Sequence, residues 1–373
     1  LHIASYLSKL RSIKVISSKI LLKIDTSSLH LKKRIQMSYT IQQDTYAVLL
    51  PAFNDLNIRN IAEPFLRKGG CSILLGETRE EYVNRRMNEK RINIEKKTDF
   101  IDLFCWAKTI QPNLNVAIDF EPYGINRLDG KVDLEWKDLN NISEKELYNY
   151  YKNKALALKQ LGITMVLGPI ADIITGSNPW LKDRQIKTTS YNISQLVKIF
   201  IEALQSLEID CVTKHFPGYN HLEKDPAMED TLLTTDKETI ISNLVSFSSA
   251  IKVNTAGIML GPAAVEVFDQ VNSASTSQKL INFLKEDLNY KGLIVSDDLD
   301  APAILRGKSI DEIAVQALNS GVDLLLLSSE NDLDQIAQYI SLSVASGNLD
   351  RERLSNAANK VRNLSFKKNL NNN

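Results

Sequence analysis

Eight short apolar runs rich in β-branched residues recur along this chain, and helical periodicity separates most of them. The runs are YAVLLP (46–51), CSILLGE (71–77), NVAIDFE (115–121), MVLGPIAD (165–172), CVTKHF (211–216), GIMLGPA (257–263), GLIVSDD (292–298) and DLLLLS (323–328). Between them lie SQLVKIFIEALQSLEI (194–209), KETIISNLVSFSSAIKV (237–253), SQKLINFLKEDL (277–288) and SIDEIAVQALNSG (309–321), with apolar residues at helical spacing. Strands buried on both faces read as continuous apolar runs, as in a parallel sheet covered by helices. Eight such units close into a (β/α)8 barrel of roughly 250 residues plus insertions. An α/β fold of this TIM-barrel type, a single domain over residues 37–367, is therefore expected. A doubly wound open sheet is the rival, but no glycine-rich fingerprint follows the first run to favour its nucleotide-binding form.

Composition agrees with a globular chain: 43% of the 373 residues are hydrophobic and 24% charged. The formal charge is zero, but unevenly spread. Residues 1–36 carry eight basic side chains against Asp25, leaving 37 basic against 44 acidic for the rest. This basic, Ser-rich segment is expected to be a poorly ordered or non-native extension, with residues 368–373 a polar tail. The acidic body opposes nucleic-acid binding. No run approaches the roughly 18 apolar residues of a membrane span. Cys71, Cys105 and Cys211 are widely separated and show no metal-ligand spacing, which fits a reduced, cytoplasmic setting without a metal or other cofactor. A monomer is expected.

The polar residues concentrate where the apolar runs end. Asp119 and Glu121, Asp172, Lys214 and His215, and Asp297 and Asp298 each follow or close a run. The carboxyl ends of the strands are where barrels of this kind build their active sites. Singly, Asp172 or Asp298 reads equally well as a helix cap. Together the set suits a small, multiply hydroxylated molecule, with carboxylates for acid, base or nucleophile work.

KHFPG (214–218), SNPWLKDR (177–184), the SDDL within 292–304, and the closing stretch ALNSGVDLLLLSSENDLDQI resemble the glycoside hydrolase family 3 barrel, in particular the single-domain bacterial β-N-acetylglucosaminidases. The similarity runs from about residue 46 to 367. It implies a retaining exo-β-glycosidase acting on terminal β-N-acetylglucosaminides such as cell-wall fragments. Asp297 matches the nucleophile; Asp119, Arg127, Arg184, Lys214 and His215 match positions that hold the sugar. Ionised aspartate attacks the anomeric carbon to form a glycosyl-enzyme, while rigid donors fix the hydroxyls.

The sequence departs from this pattern at the proton donor. Family members carry KHFPGHG and then Asp-Ser-His, whose histidine is the acid/base; here Tyr219 and Asn220 replace His-Gly. An ungapped count places Asp225 on the aspartate and Ala227 on the histidine, whereas counting back from TLLTTD (231–236) places Glu229 there. Three readings follow: Glu229 serves as acid/base, His221 serves from a rearranged loop, or the donor is lost. The Gly-Gly turn after the third run is replaced by Pro122, Tyr123 and Gly124, and the sixth run ends in LGP where the family has a histidine. The rival functions are a non-catalytic carbohydrate-binding protein and a transglycosylase or phosphorolytic variant.

Overall fold

A computed structural model describes residues 39–134, 142–184 and 192–370. The basic segment 1–36 lies outside the described residues. Eight parallel strands follow one another around a barrel: β1 (Leu49–Phe53), β2 (Ser72–Leu75), β3 (Asn115–Asp119), β4 (Met165–Ile170), β5 (Asp210–Phe216), β6 (Gly257–Leu260), β7 (Leu293–Val295) and β8 (Leu325–Ser328). Each pairs with its sequence neighbour from β1 to β7, and β8 pairs with β1. A parallel bridge between Val295 and Leu324 joins β7 to β8 and closes the ring. All eight expected strands are present. The first begins later than its apolar run suggests, because Tyr46 and Ala47 end a helix, Ile41–Ala47.

The helices form where apolar periodicity and caps coincide. In the helix Ile193–Gln205, Asn192 and Gln195 form a capping box, and Leu196, Val197, Phe200 and Leu204 are buried on one face. The segment 237–253 is two helices, Lys237–Asn243 and Val245–Lys252, which share Leu244 at their junction. The last helix spans Arg351–Leu370, so the first residues of the expected tail are helical. It is tied to the first: buried Asp44 pairs with Arg351 and Arg362, both at 2.6 Å. Among the described residues no helix is long and apolar enough to cross a membrane.

The side chains that matter lie at one end of the ring. Pairing slips between Leu167 and Gly168 on β4, and between Thr213 and Phe216 on β5. Such irregularities at a barrel rim re-aim side chains, and here the consecutive residues Lys214 and His215 both border the cavity at that end.

Candidate active site

A cavity of about 490 Å3 opens at the carboxyl ends of the strands. Its described lining includes Asp119, Arg184, Lys214, His215 and Asp297, so five of the residues singled out as site candidates meet in one place. They arrive from the ends of β3, β5 and β7 and from the loop after β4.

At its centre is a buried ion-pair network. Glu121 receives Arg184 in a two-pronged contact, Nη2 to Oε1 at 2.6 Å and Nε to Oε2 at 3.0 Å. Lys214 Nζ lies 2.6 Å from Glu121 Oε1 and 2.7 Å from Asp119 Oδ1. Burial alone would raise the Glu121 carboxyl, but the Arg184 and Lys214 cations hold it well below the usual carboxylate range. Asp119 and Glu121 thereby fix two cations within the cavity wall. The turn that follows needs Gly124, since a Cβ there would lie 1.8 Å from Glu121 Oε2. Arg184 is delivered by the 177–184 segment, where Asn178 accepts from Leu181 N and donates to the Tyr219 carbonyl.

His215 and Asp297 form the opposite part of the site. His215 Nδ1 is 2.9 Å from Asp172 Oδ2, and Asp172 also accepts from the backbone of His215 and Tyr219. Asp172 is fully buried and orients the imidazole; it is not a helix cap. Trp180 packs on the His215 ring at 4.3 Å between centroids, and its indole N–H donates to the Tyr82 hydroxyl at 2.7 Å. Asp297 accepts from the Asp298 N–H through Oδ1 at 2.8 Å, and its own N–H donates to Ser275. Burial raises the Asp297 carboxyl, with the nearby His215, Lys214 and Arg184 acting against it. Asp298 borders the cavity as well and accepts from Asp300 N–H.

Three candidates lie elsewhere. Arg127 is buried away from the cavity lining, in a two-pronged ion pair with Glu95 at 2.7 and 3.0 Å and 5.2 Å from the Phe100 ring centroid. Its guanidinium braces the loop after β3 and is not offered to a ligand. Glu229 is exposed and pairs with Lys224 at 2.7 Å. His221 is not among the lining residues; it packs beside Gly176. Ala227, in contrast, does line the cavity. Its carbonyl accepts from Arg79 at 2.8 Å, and its N–H donates to Asp225 Oδ1 at 2.9 Å. Asp225 further lies 3.5 Å from Arg85. The loop carrying these residues is thus held by Arg79 and Arg85 from the region after β2.

Two departures noted in the sequence are one packing feature. The buried Tyr219 ring lies over Gly261, where a Cβ would approach Cε2 to 2.0 Å, and its hydroxyl donates to the Ala263 carbonyl at 2.8 Å. Sequence reasoning also missed residues. Glu77, Tyr82 and Trp180 all line the cavity. Glu77 follows a strand as Asp119 and Asp297 do, so the strand-end rule would have found it.

The model of the glycosyl hydrolase family 3 N-terminal domain matches residues 140–364. A β-hexosaminidase of Nitrosomonas eutropha is 28% identical over 181 residues, covering 48% of this chain and 51% of that protein. A β-hexosaminidase of Methylococcus capsulatus is 22% identical over 247 residues, covering 63% and 72%. The chain thus spans about half the length of the first of these curated relatives. The solved structure of a family 3 β-N-acetylglucosaminidase from Paenibacillus sp. str. FPU-7 shares the fold, with a TM-score of 0.79, 21% identity, and coverage of 90% of this chain and 64% of that one.

Proposed function

The chain belongs to glycosyl hydrolase family 3, and on that premise we propose that it is a retaining exo-β-glycosidase of terminal β-N-acetylhexosaminides, with cell-wall fragments as the natural source. The observation that carries this reading is the convergence of Asp297 with Arg184, Lys214, His215 and Asp119 on one cavity. Arg184 and Lys214 are held rigidly by Glu121, which suits them to fix sugar hydroxyls.

In the first step an Asp297 carboxylate oxygen bonds to the anomeric carbon, and the glycosidic bond breaks with its electron pair going to the leaving oxygen. In the second, water adds to the anomeric carbon, loses a proton, and displaces Asp297 as carboxylate. Asp297 must be ionised to attack, which its burial opposes and the neighbouring cations assist. The leaving oxygen requires a proton unless it belongs to an acidic phenol. In support of an altered acid/base loop, Ala227 borders the cavity while Glu229 and His221 do not line it.

That same observation favours a second reading, a carbohydrate-binding protein without turnover. An aryl N-acetyl-β-glucosaminide with an acidic phenol separates the two. Turnover that disappears in Asp297→Ala supports the hydrolase; hexosamine binding with no turnover of any activated glycoside supports the binder.

A further inference from the structure

Glu77 belongs to none of the motifs that carry the family resemblance, yet it lines the same cavity as Asp297 and Arg184. It stands two residues beyond the end of β2. Charged groups from three parts of the barrel act on it: Asp119 at the end of β3 with Glu121 just beyond, Lys214 on β5, and Arg184 after β4. The cations among them are already committed. Lys214 is paired with Asp119 and Glu121, and Arg184 with Glu121. On the near side Arg91 donates to the Gly76 carbonyl, but its charge is shared between Glu81 and Glu95. Glu77 is left as a carboxyl group without an ion-pair partner among the described residues.

Its Oε2 is covered and has no hydrogen-bond partner. Two other cavity-lining residues share that condition, Arg184 through Nη1 and Asp297 through Oδ2. A covered polar atom left unpaired forfeits its hydration without a return, so such atoms are rare and ask for an explanation. Here three of them belong to the wall of one cavity. For Arg184 and Asp297 the explanation is substrate, and Glu77 stands in the same relation to it.

We propose that Glu77 is a direct contact to the bound sugar, a specificity-determining residue that exchanges hydrogen bonds with a hydroxyl on the side of the cavity bordered by Asp119 and Lys214. The inference rests on the sugar-binding reading above. Burial pushes the Glu77 carboxyl up to about 8, and the Asp119 charge adds to this against the pull of Lys214. A neutral carboxyl group has one O–H to donate and still accepts. It can therefore engage a hydroxyl in both senses. Ionised, Glu77 loses its donor and places a second negative charge next to Asp119.

Calorimetry with free N-acetylglucosamine from pH 6 to pH 9.5 tests this on the full chain, with Glu77→Gln and Glu77→Ala alongside and the Tm of each recorded. Wild-type Kd rises about tenfold between pH 7 and pH 9, as the neutral form falls to a minor fraction. Glu77→Gln, which keeps a donor and an acceptor, binds within about threefold of wild type at pH 7 and loses the pH dependence. Glu77→Ala binds about tenfold more weakly than wild type at pH 7 and likewise shows no pH dependence. A pH profile of Glu77→Gln that tracks wild type, or undiminished binding by Glu77→Ala, overturns the role of Glu77 and leaves the sugar site standing. Absence of hexosamine binding by wild type at every pH overturns the sugar-site reading and this one with it.

Discussion

The Glu121 carboxylate rests on Gly124, so closely that a Cβ at 124 would lie 1.8 Å from Oε2. The same carboxylate holds both Arg184 and Lys214. Gly124→Ala must push Glu121 away from its cations. The expected result is a loss of stability of about 1–3 kcal/mol, the usual cost of overpacking, with hexosamine binding weakened in parallel. Denaturant titration and calorimetry measure the two; unchanged values in both would mean that the turn yields without moving Glu121.

Acid should expose the same network. The folded-state pKa of Glu121 is depressed, so its contribution to stability is present above the unfolded value of about 4.3 and is lost as pH falls below it. Between about pH 5 and pH 3, Tm of the wild type should fall more steeply than that of Glu121→Gln, which has no charge to lose. Parallel Tm curves would assign the acid sensitivity to other groups.

Arg127 and Arg184 should separate fold from site. Arg127→Ala leaves Glu95 without its two-pronged partner, and removing one member of a buried pair costs about 3–5 kcal/mol. Its hexosamine affinity should stay at the wild-type level. Arg184→Ala should weaken binding by about 1–3 kcal/mol through unpaired hydroxyl contacts. Reversed outcomes in calorimetry would return Arg127 to the sugar site.

The contrast between these arginines shows what was readable in the sequence. Parallel strands covered on both faces leave unbroken apolar runs, so the barrel was visible, and polar residues at the ends of those runs located Asp119, Lys214, His215 and Asp297. Arg127 was assigned because it matches a sugar-holding position of the family that the chain resembles. Such a match does not reveal a partner such as Glu95, 32 residues earlier, that turns the guanidinium inward. Likewise His221 and Glu229 have suitable chemistry for proton transfer, but residue type carries no information about direction. Glu229 is exposed, paired with Lys224, and lies outside the cavity lining.

For that reason Glu229→Ala and His221→Ala should leave turnover of an activated aryl glycoside and of a disaccharide within about twofold of wild type, far less than the 10²–10⁴-fold that an acid/base group supplies. Ala227→His tests the complementary point, because it places an imidazole at the cavity wall two residues from Asp225. The disaccharide rate should rise about 10²-fold, the lower end of what general acid catalysis yields, with little change for the acidic phenol. Steady-state kinetics on both substrates decides it; a large loss in Glu229→Ala would restore that residue as donor.

The pairing of Asp44 with Arg351 and Arg362 has a consequence for how the chain is made. Asp44 and Arg362 are 318 positions apart, and β1 receives its second neighbour only from residues 325–328. During synthesis the first helix therefore waits through nearly the whole barrel with a carboxylate that has no cation, and β1 waits with one bare edge. The edge is covered first, by residues 325–328, and the carboxylate gains Arg351 and then Arg362 only afterwards. A nascent chain released short of residue 325 carries an exposed strand edge ready to pair with another chain, which makes β8 the strand on which safe release depends.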